Sequence, residues 1–258
     1  MAHQAEIAHT DQTRTTLPIA HARPVQDISG YTVFSEGDLG AAHVIAHRML
    51  DENLIELGHQ HLGEFLQSHS GSGSDWVHLQ FHMAVFELAS DDWDGAHKRF
   101  MNEILPTATV TDEALTDAPA LLWRLALAAP KQIESPWEAL RNTALHRMQR
   151  PSEPFVELHN LLALTGAGDL TSIDHWLERR PSYLLPRRER LVEQMAVALR
   201  AFAAGSYKQA AIELQRVVPQ LSQVGGSRAQ NLLFRQLEES CWHQVSDAPI
   251  APLYANAA

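Results

Sequence analysis

The sequence predicts an all-α fold, a superhelix of about five stacked helix pairs closed by a final helix. Three observations carry that expectation. Between residues 30 and 244 apolar side chains recur with a helical rather than a strand period. Two segments repeat one design. Leu88-Ala89-Ser90-Asp91-Asp92-Trp93 leads to Ala96, Phe100 and Pro106, and Ala203-Ala204-Gly205-Ser206-Tyr207 leads to Ala210, Leu214 and Pro219. A weaker third turn stands at Gly166-Ala167-Gly168-Asp169. In both full copies an aromatic opens the second helix, a small Ala follows one turn on, and a large apolar residue follows the next. The Ala admits the first helix closely and the aromatic fills the space beside the turn. Such helix pairs bury their apolar faces only by stacking on neighbours.

Each segment has its own reason. Residues 1–29 mix Thr, His, Gln and Pro without an apolar period and read as a flexible arm. Helices are expected at Asp38–Asn53, Leu54–Ser68, Trp76–Ala89, Trp93–Ile104 and Glu113–Ala128. More follow at Pro136–Met148, Pro154–Thr165, Thr171–Arg179, Arg187–Ala204, Tyr207–Val218 and Ser227–Trp242. Ser135-Pro136-Trp137-Glu138 has the form of a capping box with Pro in the first turn, and Ser227 with Gln230 repeats that logic after Gly225-Gly226. The run from His69 to Ser74 is a Gly/Ser connector. Residues 245–258, with Pro249 and Pro252, read as a flexible tail.

Composition narrows the function classes. The 258 residues carry a net charge of −11, and 45% are hydrophobic. Residues 1–113 hold 5 Lys or Arg against 17 Asp or Glu, together with 11 of the 15 histidines. An acidic surface repels phosphate backbones, so no nucleic-acid partner is expected, whereas cations are attracted. No apolar run approaches the roughly 20 residues of a membrane helix, and the N-terminus shows no secretory signal. The single Cys241 forbids an intramolecular disulfide and suggests a cytoplasmic location.

Several strings together resemble the tetratricopeptide repeat protein 38-like family. They are Ala42-His43-Val44-Ile45-Ala46-His47, Val77-His78-Leu79-Gln80-Phe81-His82-Met83-Ala84, Ile104-Leu105-Pro106, and Asp117-Ala118-Pro119-Ala120-Leu121-Leu122-Trp123-Arg124-Leu125. Phe155-Val156-Glu157-Leu158-His159 and Val224-Gly225-Gly226-Ser227-Arg228-Ala229-Gln230 complete the series. The resemblance spans Gly30 to Gln244 and implies an intracellular α–α superhelix, without an activity to carry over.

The chemistry lies in two histidine pairs. His43 and His47 are one helical turn apart, and so are His78 and His82, so each pair projects from one helix face. Asp51 extends the first stripe and Asp75 the second. If both stripes meet on one surface, four imidazoles with a nearby carboxylate suit zinc or another divalent first-row metal. His159 and Asp117 are candidates for the same inner surface, and His78, His82, His159 and Asp117 are the candidates for general acid–base work. Neither pair has the His-Glu-x-x-His form of a zinc hydrolase. Histidines bonded to Asp75, Asp117 or backbone within the helix stack are the plain alternative.

His59 and His61, two apart, cannot chelate together; His3, His9 and His21 lie in the arm. Arg124 stands two turns from Asp117 and is expected to tie neighbouring helices by charge. Arg228 opens a helix N-terminus that suits an anion. Three functions stay open on these grounds. The first is binding of a peptide or small molecule through a groove of His43, His47, His78, His82, Trp123, Arg124, His159 and Arg228. The second is an enzyme acting through the clustered histidines. The third is an assembly element forming a homodimer through an open repeat end.

Overall fold

A computed structural model describes residues 38–110, 114–129, 135–179 and 186–247. Helices are their only regular secondary structure; no strand occurs among the described residues. The expected arm, residues 1–29, lies outside them, as do residues 248–258 of the expected tail. Among the described residues no helix is long and apolar enough to cross a membrane. The chain divides into two compact units, Met1–Arg147 and Met148–Ala258.

The first unit contains α1 (Leu39–Asp51), α2 (Ile55–Ser68), α3 (Ser74–Ala89), α4 (Trp93–Arg99), α5 (Leu105–Val110), α6 (Asp117–Ala128) and α7 (Trp137–Arg147). The second contains α8 (Pro154–Gly166), α9 (Leu170–Glu178), α10 (Arg187–Ala203), α11 (Tyr207–Val217) and α12 (Arg228–Asp247). α12 runs five residues past the expected end at Trp242, into the expected tail. Its start follows the expected chemistry: Ser227 N–H donates to Gln230 Oε1 at 2.8 Å and Gln230 N–H donates to Ser227 Oγ at 3.1 Å.

Four helix pairs share one turn. Asn53, Asp91, Gly168 and Gly205 take the left-handed conformation, with φ of 58°, 63°, 68° and 71°. The next residue then reaches back to a carbonyl five positions earlier: Leu54 to Met49 at 2.8 Å, Asp92 to Glu87 at 2.9 Å, Asp169 to Leu164 at 3.0 Å and Ser206 to Ala201 at 2.9 Å. This satisfies the orphan carbonyls of each first helix and sends the chain back antiparallel to it. Five residues past the left-handed position stand Gly58, Ala96, Ile173 and Ala210, all buried. Gly58 is the tightest, since a Cβ there would fall 2.2 Å from Cε1 of Phe86.

α3 is the axis of the first unit. It packs against α1, α2, α4 and α6, which explains why it is buried almost all round, its polar His82, Gln80 and Glu87 included. One expectation is corrected here. The helix begun at Trp93 does not stop near Ile104. It widens into a π turn over Phe100–Ile104 and resumes as α5 to Val110. Pro106 has no N–H to donate and its ring crowds the ladder, so the widened turn accommodates it without ending the helix.

Candidate metal centre

Asp38 caps α1, accepting from Ala41 N–H at 3.0 Å. The buried ridge of this helix is Ala42, Ala46 and Met49, and His43 and His47 stand immediately beside it, half-buried. On α3 the facing ridge is Leu79, Met83 and Phe86, one core with Ala42, Ala46 and Met49. His78 and His82 stand beside that ridge on its other edge. Because Ala42 and Ala46 are short, the two helices approach closely, and the flanking imidazoles are pressed together.

One ring nitrogen from each of His43, His47, His78 and His82 lies within 4.8 Å of all the others. Within the pairs, Nε2 of His43 and His47 are 2.8 Å apart, and Nε2 of His78 and His82 are 3.1 Å apart. Across the pairs, the ring centroids of His43 and His78 are 4.7 Å apart and those of His47 and His82 are 4.3 Å apart. Metal–nitrogen bonds of 2.0–2.1 Å place tetrahedral ligand nitrogens roughly 3.3 Å apart, so small ring adjustments bring four lone pairs onto one ion. Among the described residues no other group of three or more His, Cys, Asp or Glu converges in this way.

The outer partners are of the kind metal-bound histidines need. Asp117, in the first turn of α6 and 2% exposed, accepts from Nδ1–H of His78 at 2.7 Å. Nδ1 and Nε2 lie on opposite sides of an imidazole, so Asp117 fixes the tautomer that leaves the His78 Nε2 lone pair facing the cluster. Oδ1 of Asp117 and Nδ1 of His82 are buried without a hydrogen-bond partner. Phe81 stacks on His78, the ring planes 9° apart.

Electrostatics keep three of the rings neutral. Burial, aided by the charges of neighbouring histidines, holds His47 down at about 4 and lowers His43. Complete burial and the same neighbours, with Arg124, hold His82 well below its ordinary value. His78 goes the other way. Burial opposes its charge, but the Asp117 hydrogen bond and the Asp117 and Asp75 charges together raise it. Asp75 also favours positive charge at His43, and Asp51 does so at His47. Lone pairs free of protons, with carboxylates around them, are what binding of a cation requires.

The other sequence candidates are distributed differently. Arg124 is buried on α6, the same helix as Asp117. It donates from Nη1 to the Ala120 carbonyl at 3.0 Å, and its guanidinium lies 5.7 Å from the centroid of Phe81. Burial lowers it to about 10, with partial compensation from Asp117. Trp123 lies with its ring 5.2 Å from that of Trp137. His159 belongs to the second unit, on α8, where its Nδ1–H donates to the Phe155 carbonyl at 2.8 Å. Arg228 is exposed at the start of α12, also in the second unit. Asp51 and Asp75 are exposed and act at a distance. The sequence reading missed Ala42 and Ala46, whose one-turn spacing beside the first pair signals the close helix contact. No protein-family profile matches the chain, and no curated protein or solved structure matches it.

Proposed function

We propose that the first unit is a tetratricopeptide-like helical repeat that binds one divalent first-row transition metal ion, zinc in class, through His43, His47, His78 and His82. Asp117 serves as the outer carboxylate on His78. The single observation that carries this reading is the convergence of four ring nitrogens from two helices within 4.8 Å. It ranks above peptide or small-molecule recognition by the same rings, because their nitrogens face one another rather than outward. It also ranks above general acid–base catalysis, because the charged form a general acid needs is disfavoured at three of the four rings and His82 is sealed from solvent. Four turns of one geometry, with small residues at the close contact in three of them, support the repeat.

The test is elemental analysis of untagged protein after chelator stripping and reloading with zinc. One ion per chain is expected. His78→Asn with His82→Asn should abolish it while the circular dichroism signal stays helical. Zinc bound at less than about a tenth of an equivalent at saturating concentration, or equal binding by the double variant, would sink the reading.

A further inference from the structure

We infer that the ion acts as a staple: it completes a closed four-coordinate centre that docks α1 onto α3. This rests on the metal reading above and adds what the metal is for. The ligands divide two and two, His43 and His47 from α1, His78 and His82 from α3. On the α1 side the buried ridge is short, Ala42 and Ala46 with Met49, so two of its three members bury far less area than leucines would. Beyond that ridge α1 presents the histidines themselves, and then an outer face where Val44 is 66% exposed. The turn after α1 places Asn53, rather than glycine, in the left-handed region, which disfavours the hairpin slightly more than a glycine turn does.

The side chains around the ion leave no protein group to act on a ligand. Four imidazoles fill a tetrahedral shell, which is the arrangement of structural rather than catalytic zinc. Asp117 lies behind His78, on the ring edge away from the cluster, so it orients that ring and does not reach the ion. A bound ion therefore joins α1 to α3 through four bonds at the edge of their shared apolar ridge. Ligand binding of that kind is docking free energy for the element that carries the ligands.

Hydrogen exchange on the full chain tests this, with stripped protein compared against protein in free zinc at about 100 times its Kd. Opening of the α1 amides, Leu39–Asp51, should be suppressed about 100-fold, and that of α8 to α12 should not change. Cobalt(II) in place of zinc should give the intense visible absorption of a tetrahedral centre. Should His82→Asn fail to fold, His43→Asn with His47→Asn alters only the half-exposed edge of α1. That variant should exchange at the stripped rate whether zinc is present or not. One zinc bound with α1 exchange unaltered overturns the staple and leaves the metal reading standing. A weak six-coordinate cobalt spectrum overturns the closed centre, as does zinc-dependent protection that survives the α1 double variant. No zinc bound at all overturns both readings together.

Discussion

The α3–α4 and α10–α11 pairs are two castings of one form, and they differ where chemistry is concerned. Their turns match residue for residue, from Asp91 and Gly205 at the left-handed position to Ala96 and Ala210 at the close contact, both fully buried. Counting back from the turn, His78 corresponds to Val192 and His82 to Ala196, and both of these are 0% exposed. In the α8–α9 pair the same two positions are Phe155 and His159, and His159 is satisfied by a backbone carbonyl one turn away. The form therefore closes well with apolar residues, or with a histidine that bonds to its own helix. Nothing in the packing of a first helix calls for two imidazoles there. Their presence in α3, opposite a second pair on α1, is what the proposed metal centre requires.

The comparison is broken most decisively by transplanting the apolar pair. His78→Val with His82→Ala makes α3 resemble α10, and it removes the buried His82 nitrogen that lacks a partner. Zinc affinity should fall by at least about 100-fold, measured by calorimetric titration. The metal-free thermal midpoint should fall modestly, because buried Asp117 loses the N–H of His78. Loss of the helical circular dichroism signal would mean the two first helices are not equivalent. Next in size, Ala96→Leu and Ala210→Leu should each cost about 1–3 kcal/mol by overpacking the same contact, one in each unit. Urea titrations in which either variant matches the wild type would remove that alanine from the shared design.

Smaller effects come from the turns. Gly205→Ala should cost about 1 kcal/mol, because a side chain must enter the left-handed region, whereas Asp91→Gly should be neutral or slightly stabilising. Equal signs for the two would show that the turns carry different strain. The smallest effect is on pH dependence. His43, His47 and His82 are lowered in the folded chain, His47 to about 4. The unfolded chain therefore takes up protons first as pH falls. Stability of the metal-free protein should decline between about pH 6.5 and 4. His78, being raised, contributes stability that is present below about pH 6.5 and lost as pH rises through its folded value. Urea midpoints measured across that range should flatten in the Val/Ala transplant.

The parts of this arrangement that were legible in the sequence are those written locally. Gly168 and Gly205 announced their turns, and one-turn spacing announced both histidine pairs. The turn at Asn53 carries no glycine or proline, so its kinship with the one at Asp91 shows only in the hydrogen bonds. The meeting of the pairs was less legible, because they occupy different registers. Counted from the turn, His78 stands three residues farther back than His43, about 60° around the helix. That offset turns one pair toward its successor helix and the other toward its predecessor. It cannot be inferred without knowing which edges of α1 and α3 face each other. Likewise, nothing in the spacing of His78 and Asp117, 39 residues apart, specifies a hydrogen bond. His159 was grouped with the cluster because it lies on a similar motif helix, and the periodicity of α8 does not reveal that its ring is already satisfied by Phe155.

The hydrogen bond from His78 to Asp117 has a spectroscopic consequence. A proton held at 2.7 Å between an imidazole nitrogen and a carboxylate, sheltered from exchange, resonates far downfield of the amide envelope in a proton NMR spectrum. Drawing the opposite nitrogen of that ring onto a cation makes the N–H more acidic and moves the line. One isolated signal, assignable by its loss in Asp117→Asn, then follows the occupancy of the centre without any label on the metal.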